Sequence, residues 1–256
     1  MATGFEGKTA LITGAASGIG LACARLLAAE GIGQLVLIDI NAEKLSAAAE
    51  TLCGPKIVTL TGNVAGEETW ASATPLLAEV DYAIANAGVA GNGEIATHDF
   101  GEWRRVMSVN LDGTLLTLRA SMAAMKAHGR GGAIVITSSA SGLKAEPGTA
   151  AYGASKAALL HLAKVAAKEG APLGIRVNAI APAGVETPIW QGLPFFEELV
   201  AKTGSEAAAF AAMGTNSPLG RFATADEVAA QIAFLLSDAA ATITGATLTS
   251  DGGYLL

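Results

Sequence analysis

The sequence predicts a doubly wound, Rossmann-like α/β fold: a seven-stranded parallel sheet with helices on both faces. Short apolar, β-rich runs alternate with longer Ala/Leu-rich segments of helical spacing, which is typical of parallel strands joined by right-handed crossovers. The apolar runs are continuous rather than alternating, as expected for strands covered on both faces. We expect residues 1–256 to form a single domain, because one wide sheet of this kind commonly reaches that size.

The predicted strands and helices alternate along most of the chain. The strands cover residues 8–13, 34–39, 56–60, 81–85, 132–138, 175–180 and 246–250. The helices cover residues 18–30, 41–52, 100–128, 151–169 and 225–236. Residues 183–217 interrupt this pattern, because they combine several Pro and Gly residues with aromatic side chains. We expect this irregular segment to be a lid over a substrate site.

Composition and charge argue against several kinds of partner. The chain is 51% apolar and 15% charged, which predicts a large buried core. A net charge of -7 would repel nucleic acid and anionic membranes. No stretch reaches the roughly 18 apolar residues of a membrane helix, and the first residues lack a signal-peptide pattern, so we expect a cytoplasmic protein.

Cysteine and histidine positions do not suggest a metal site. Cys23 and Cys53 have neither metal-ligand spacing nor a CxxC pair, and we expect both to be core thiols. The three histidines, His98, His128 and His161, lie in separate segments without ligand spacing. We therefore predict no bound metal.

A glycine-rich turn follows the first predicted strand and opens the first predicted helix. Its sequence is Thr13-Gly14-Ala15-Ala16-Ser17-Gly18-Ile19-Gly20. In this position the backbone can approach a ligand closely, and the helix N-terminus can face a phosphate. The turn alone would also suit a tight strand-to-helix corner without a ligand.

Asp39 strengthens the dinucleotide-binding interpretation. It ends the second predicted strand, where a carboxylate can accept hydrogen bonds from the adenosine ribose hydroxyls. The same carboxylate would repel a ribose 2′-phosphate, and residues 15–17 and 40 provide no cation to offset that repulsion. We therefore expect NAD rather than NADP. The alternative role for Asp39 is a helix N-cap near Asn41.

Further motifs resemble the short-chain dehydrogenase/reductase family from about residue 7 to residue 253. They are Asn86-Ala87-Gly88, Asn110, Ser138-Ser139 and Tyr152-Gly153-Ala154-Ser155-Lys156, in the family's order. Any one of them can arise by chance, but their joint occurrence at matching spacing is highly specific. The resemblance implies a single dinucleotide-binding and catalytic domain that moves a hydride between NAD(H) and a secondary alcohol or ketone.

Tyr152 and Lys156 have the spacing that acid-base chemistry requires. They are four residues apart on a predicted helix, so they share one face and the ammonium can lie near the phenol. At 4 Å and an effective dielectric of about 20, such a cation contributes about 4 kcal/mol. That would bring a tyrosine pKa from about 10 to about 7. Tyr152 would then be the general base for alcohol oxidation and the general acid for ketone reduction.

The resemblance assigns roles to the other catalytic positions. Ser139 would hydrogen-bond the substrate oxygen, and Ser138 is the less favoured candidate for that role. Lys156 would also hold the nicotinamide ribose. Asn110 would fix a water that links Lys156 to solvent, and it could also brace its helix.

The resemblance also completes the set of cofactor contacts. Pro182, Val185 and Thr187 would hold the nicotinamide, although the usual Pro-Gly is Pro182-Ala183 here and Gly184 is expected to supply the lost backbone freedom. Asn63 replaces the more usual Asp beside the adenine and retains an acceptor. The predicted contacts are Gly14, Ser17, Gly18, Ile19, Gly20, Asp39, Asn63, Val64, Asn86, Ala87, Gly88, Tyr152, Lys156, Pro182, Val185 and Thr187.

The lid composition predicts a neutral, hydrophobic small-molecule substrate, either cyclic or aromatic. Its apolar side chains are Ile189, Trp190, Leu193, Pro194, Phe195 and Phe196. Lys202 is the only cation between residues 183 and 217, although Lys144 follows Ser139 closely and could reach the pocket. The alternative is that these aromatic residues only pack the lid or a subunit interface.

Two other functions remain open at this stage. One is reduction of 3-oxoacyl carrier thioesters, which Asp39 and the acidic balance disfavour. The other is a non-catalytic NAD-binding regulator, which would more typically have lost Ser139, Tyr152 or Lys156. The resemblance further implies a homotetramer, or a homodimer, assembled partly through the helices at residues 151–169 and 100–128.

Overall fold

The computed structural model describes residues 4–256, and its strands form one parallel seven-stranded sheet. The strands are β1 (Thr9–Thr13), β2 (Gln34–Asp39), β3 (Lys56–Thr61), β4 (Tyr82–Ala85), β5 (Gly132–Thr137), β6 (Ile175–Pro182) and β7 (Thr247–Ser250). Their order across the sheet is β3-β2-β1-β4-β5-β6-β7. The predicted doubly wound parallel sheet is confirmed.

Helices cover both faces of this sheet. They are α1 (Gly18–Ala29), α2 (Ala42–Glu50), α3 (Glu67–Ala73), α4 (Phe100–Met107), α5 (Gly113–His128), α6 (Ala150–Gly170), α7 (Pro194–Thr203), α8 (Glu206–Gly214) and α9 (Ala225–Leu236). One face buries Leu27 of α1 and Ile232 of α9, and the other buries Leu118 of α5 and Leu159 of α6. Because both faces are covered, the central strands carry apolar residues on either side.

Four elements differ from the sequence prediction. The helix predicted over residues 100–128 is divided by a π-helical segment, Ser108–Asp112, between α4 and α5. Helix α3 was not predicted. The segment expected to be irregular contains α7 and α8, which begin at Pro194 and at the N-cap Ser205, whose hydroxyl accepts from Ala208 N.

The strand order brings the sequence motifs together at one edge of the sheet. The connection from β3 to β4 reverses direction, so the carboxyl ends of β1 and β4 lie side by side at the switch point where ligands bind in such sheets. The Thr13 hydroxyl joins these ends by accepting from Asn86 N at 3.0 Å and Ala87 N at 3.1 Å.

The cysteines differ from expectation in one respect. Cys23 is buried, and burial raises its pKa, but Cys53 is exposed between α2 and β3 and is not a core thiol.

Between residues 4 and 256, no helix combines the length and the apolar character needed to cross a membrane.

Candidate active site

A cleft of about 1600 Å³ opens at the carboxyl ends of the strands. It brings most of the predicted site residues together, although they are far apart in the sequence. The predicted residues that line it are Gly14, Ser17, Gly18, Ile19, Asp39, Asn86, Ala87, Gly88, Ser139, Tyr152, Lys156, Pro182, Val185 and Thr187. Gly20, Asn63, Val64 and Asn110 lie outside this lining.

The glycine-rich turn is held in shape by the protein itself. Gly14 (φ 66°) and Gly18 (φ 53°) have left-handed backbone, which a side chain would disfavour. Asn86 Nδ2 donates to Thr13 O at 3.0 Å and to Gly14 O at 3.3 Å. Gly20 acts sterically, because a Cβ there would overlap the carbonyl oxygen of Gly14. The turn is therefore preorganised around an open concavity.

Asp39 connects this turn to the start of α2. Its carboxylate accepts from Ala16 N and from Asn41 N, each at 3.0 Å. Asn41, not Asp39, is the N-cap of α2, because its side chain accepts from Lys44 N. Lys44 lines the same cleft. This cation was not expected, because only residues 15–17 and 40 were considered as sources of positive charge near Asp39.

The two residues expected at the adenine are engaged elsewhere. Asn63 Oδ1 accepts from Ala65 N at 3.0 Å in a local turn. Val64 is buried, and its carbonyl accepts from Trp70 Nε1 at 2.8 Å. Their predicted contact with the cofactor stays a prediction.

Thr137, which ends β5, and the two residues after it contact the turn of α6 that carries Tyr152 and Lys156. Thr137 O accepts from Lys156 Nζ at 2.8 Å, and Ser138 Oγ donates to Lys156 O at 2.7 Å. Ser139 forms a hydrogen bond with the Tyr152 side chain. Both serines line the cleft and both contact backbone, because Ser139 Oγ accepts from Ser141 N at 3.1 Å. The substrate contact predicted for Ser139 stays a prediction.

Burial controls the protonation of both groups on this turn. It lowers the pKa of Lys156 from 10.5 to about 8. It also raises the pKa of Tyr152 above its ordinary value, while the Ser139 hydrogen bond acts in the opposite direction. Lys156 Nζ lies 5.6 Å from the Tyr152 ring centroid.

The pKa of about 7 expected for Tyr152 is therefore not reached in the protein alone. Burial has the largest effect on the Tyr152 pKa and opposes the phenolate, and the Lys156 ammonium is hydrogen-bonded to Thr137 O. The remaining stabilisation of the phenolate must come from additional positive charge or hydrogen bonding in the occupied site.

Asn110 is fully buried in the π-helical segment, and its side chain braces the site. Its Oδ1 accepts from Val89 N at 2.8 Å, and its Nδ2 donates to Val89 O and to Ser155 Oγ. A Cβ on Gly88 would lie 3.3 Å from Asn110 Oδ1 and 3.4 Å from Lys156 Nζ, so Gly88 separates the two side chains. This geometry favours the bracing role, and the water-holding role stays a prediction.

The segment after β6 reaches from the sheet to the glycine-rich turn. Thr187 is nearly buried and lies against Gly18. Gly184 is not among the left-handed glycines, so it does not supply the freedom expected after Pro182-Ala183. Its role is steric, because a Cβ there would overlap the ring of Phe222.

The aromatic residues of the lid divide into two groups. Phe196 and Phe210 are buried in the lid's own core, with ring centroids 5.1 Å apart. Trp190 donates from Nε1 to Val185 O at 2.8 Å and stacks on Phe222 at 5.6 Å. Trp190 and Phe222 line the cleft, as do Ile189, Leu193 and Phe195, whereas Pro194 and Phe196 lie outside the lining. Some of these aromatic residues therefore pack against one another inside the segment, and others line the cleft. Their contact with a substrate stays a prediction.

One charged residue of the cleft, Arg221, was not anticipated from the sequence. Arg221 lines the cleft, and its guanidinium is held by Glu227 through contacts of 2.7 and 2.6 Å. Lys144 lies outside the lining, 4.0 Å above the ring of Tyr254. No sequence motif predicts the position of Arg221, because it depends on the path of the chain between α8 and α9.

Comparison with known proteins agrees with this geometry. A family model described as enoyl-(acyl carrier protein) reductase matches residues 14–255. The chain is 38% identical to cis-4-hydroxycyclohexanecarboxylate dehydrogenase of Sinomonas cyclohexanicum, over 99% of each protein. It is 36% identical to a 3-oxoacyl-(acyl carrier protein) reductase of Thermotoga maritima, over 98% of this chain and 99% of that protein.

Solved structures extend the likeness to three dimensions. The crystal structure of carveol dehydrogenase from Mycobacterium avium in complex with NAD matches with a TM-score of 0.92 and 30% identity, over 100% of this chain and 99% of that one. The fold, the order of the motifs and the near-complete coverage of the matches all indicate the same family. The chain therefore belongs to the short-chain dehydrogenase/reductase family.

Proposed function

We propose that the protein is an NAD-dependent oxidoreductase that interconverts a neutral, hydrophobic, cyclic or aromatic secondary alcohol and its ketone. One observation carries the proposal: Ser139, Tyr152 and Lys156 converge in a cleft that also contains Asp39 and the glycine-rich turn. The cleft thus joins an acid-base centre to a site suited to a dinucleotide.

The residues present fit NAD. The left-handed glycines leave backbone space for a pyrophosphate at the start of α1, and Asp39 presents carboxylate oxygens suited to ribose hydroxyls. Thr187 lies against Gly18 of that turn, and Val185 lines the same cleft. When bound, NAD⁺ supplies the acceptor for the hydride of the alcohol. The NAD-bound carveol dehydrogenase supports this choice of cofactor.

The chain's own residues move the proton. In alcohol oxidation, the Tyr152 phenolate oxygen takes the proton of the substrate hydroxyl, and in ketone reduction the phenol returns it. Ser139 donates a hydrogen bond to the substrate oxygen where negative charge develops. Lys156 supplies positive charge near the phenolate, and Asn110 fixes the backbone at Val89, which follows Gly88 of the cleft lining.

The walls of the cleft favour a neutral ring. Ile189, Trp190, Leu193 and Phe195 offer apolar surface, and burying one large apolar side chain is worth about 1.5 to 3 kcal/mol. Of the described residues, the cations that line the cleft are Lys44, Lys156 and Arg221. Lys44 lies at the Asp39 end, Lys156 serves the acid-base centre and Arg221 is paired with Glu227. A substrate carboxylate would have to compete for Arg221.

The two rival functions have weaker support. A carrier-protein thioester reductase is represented among the relatives, but the acidic chain and Asp39 do not suit an acidic carrier or NADP. A non-catalytic regulator would not need Ser139, Tyr152 and Lys156 in contact around one cleft.

We also propose a cytoplasmic homotetramer, with a homodimer as the alternative, and a single domain with a lid at about 183–217. Exposed apolar side chains on the expected contact helices support the assembly: Phe100 on α4, Leu115 on α5 and Val165 on α6. Light scattering should give four times the chain mass of 25.5 kDa.

Steady-state kinetics with a matched pair of ring alcohols tests the proposal. Cyclohexanol and 4-hydroxycyclohexanecarboxylate would be compared, with NADH absorbance as the readout. We expect a higher kcat/KM for the neutral alcohol and for NAD over NADP. A higher kcat/KM for the carboxylate that disappears in Arg221→Ala would reject the neutral class, and absence of turnover across a panel of ring alcohols would reject the function.

A further inference from the structure

Two buried serines outside the proposed chemistry hold the backbone of the catalytic turn. Ser155 is 0% exposed; its Oγ accepts from Asn110 Nδ2 at 3.0 Å and donates to Tyr152 O at 2.7 Å. Ser138 is 3% exposed, and its Oγ donates to Lys156 O at 2.7 Å. Each serine thus contacts the main chain of one of the two acid-base residues.

The two contacts come from different parts of the fold. Ser138 directly follows β5, so it ties the carbonyl of Lys156 to the end of the sheet. Ser155 connects the carbonyl of Tyr152 to Asn110 in the π-helical segment, and Asn110 is in turn bonded to both Val89 N and Val89 O. Rotation or sliding of this helical turn would break at least one buried hydrogen bond, which is costly.

The positions of these bonds matter for proton transfer. The phenol of Tyr152 must meet Ser139 and the substrate oxygen, and a displacement of about 1 Å can cost about a hundredfold in rate. Lys156 Nζ already depends on a bond to Thr137 O, next to Ser138 in the chain. Two fixed carbonyls one helical turn apart define both the height and the rotation of α6 at the site.

We propose that Ser138 and Ser155 are positioning residues that fix the Tyr152–Lys156 turn of α6 against β5 and Asn110. Neither needs to touch the substrate, and the inference rests on the proposed function for its kinetic consequence. Through Ser155, the Asn110 side chain is connected by hydrogen bonds to the backbone of this turn.

Ser237 provides a matched control. Like Ser155, it is buried and donates from Oγ to the carbonyl three residues earlier, Phe234 O, at 2.8 Å. It lies at the end of α9, away from the residues that line the cleft. Ser237→Ala therefore removes a similar hydrogen bond without touching the catalytic turn.

The test compares Ser155→Ala, Ser138→Ala and Ser237→Ala by thermal unfolding, NADH binding and single-turnover hydride transfer. We expect similar losses of Tm in all three and NADH affinity within about twofold of the wild type. Hydride transfer should slow by about tenfold or more in Ser155→Ala and Ser138→Ala, and stay within about twofold in Ser237→Ala. Equal hydride-transfer rates in all three variants would overturn the inference.

Hydrogen exchange separates this inference from the proposed function. Amides of residues 150–160 should exchange faster in Ser155→Ala and Ser138→Ala than in the wild type or Ser237→Ala. If no alcohol is turned over by the wild type, the proposed function fails and this exchange comparison decides the positioning role. Unchanged exchange in both variants would then overturn it.

Discussion

Among single residues, Tyr152 and Lys156 show how burial sets the acid-base chemistry. Burial disfavours charge on both, which raises the pKa of Tyr152 and lowers the pKa of Lys156 to about 8. The phenol is therefore neutral in the protein alone, the state needed to donate a proton to a ketone. In the proposed mechanism, oxidation of an alcohol requires the phenolate, which the Ser139 hydrogen bond and the Lys156 charge would stabilise.

We predict that Tyr152→Phe removes nearly all turnover, because a phenyl ring cannot exchange a proton. The expected loss in kcat is about 10²- to 10⁴-fold, with the fold and NADH binding retained. Tyr82→Phe is the control, because Tyr82 hydrogen-bonds Gly4 O at the opposite end of β4. Steady-state kinetics and fluorescence titration of NADH provide the measurements. Retention of most of the wild-type kcat would exclude Tyr152 from the mechanism.

Asp39 is predicted to set the cofactor preference. Asp39→Ala should weaken NAD binding and reduce discrimination against NADP, because the ribose acceptor and the repulsive charge are both lost. Lys44→Ala is the informative control, since Lys44 is a cation that lines the same cleft as Asp39. It should strengthen discrimination against NADP. Titrations of both variants with NAD and with NADP test this prediction. Equal use of NADP and NAD by the wild type would refute this role of Asp39.

Among helices and strands, local sequence pattern predicted those elements that local interactions determine. The strand at Gln34–Asp39 and the helix at Ala225–Leu236 have the predicted bounds, because apolar runs and a Thr224 capping box define them. The π-helical segment was missed because it lies between α4 and α5 without a break in the helical backbone. Helices α7 and α8 were missed because Pro and Gly at their ends resembled a loop.

The start of α9 should show a pH-dependent contribution to stability. Hydrogen bonds from Arg221 and Thr224 lower the pKa of Glu227 from 4.5 to about 2. Because the folded value is depressed, the stabilisation is present above pH 4.5 and is lost as the pH falls towards 2. Glu227→Gln should lower Tm at pH 7, with a difference that shrinks over that interval in calorimetry. Glu198→Gln on α7 is the exposed control, and a constant Tm difference for Glu227→Gln would contradict this prediction.

For the molecule as a whole, the parallel sheet explains why so much of the cleft was predictable. Strand ends on one edge carry Gly14, Asp39, Asn86 and Ser139, so motif order alone predicts their proximity. Lys44 and Arg221 could not be predicted, because their approach depends on packing between segments distant in sequence. The Ser155 contact with Asn110 likewise joins two helices, and the sequence contains no spacing that reveals it.

Transfer of a deuterium label connects the acid-base centre to the proposed chemistry. The protein would be mixed with NAD⁺ and cyclohexanol deuterated at the carbinol carbon, and the products would be analysed by mass spectrometry. We predict one deuterium in each NADH formed, one cyclohexanone for each NADH, and almost no transfer by Tyr152→Phe. NADH without deuterium, or equal transfer by Tyr152→Phe, would contradict hydride transfer from a ring alcohol at this centre.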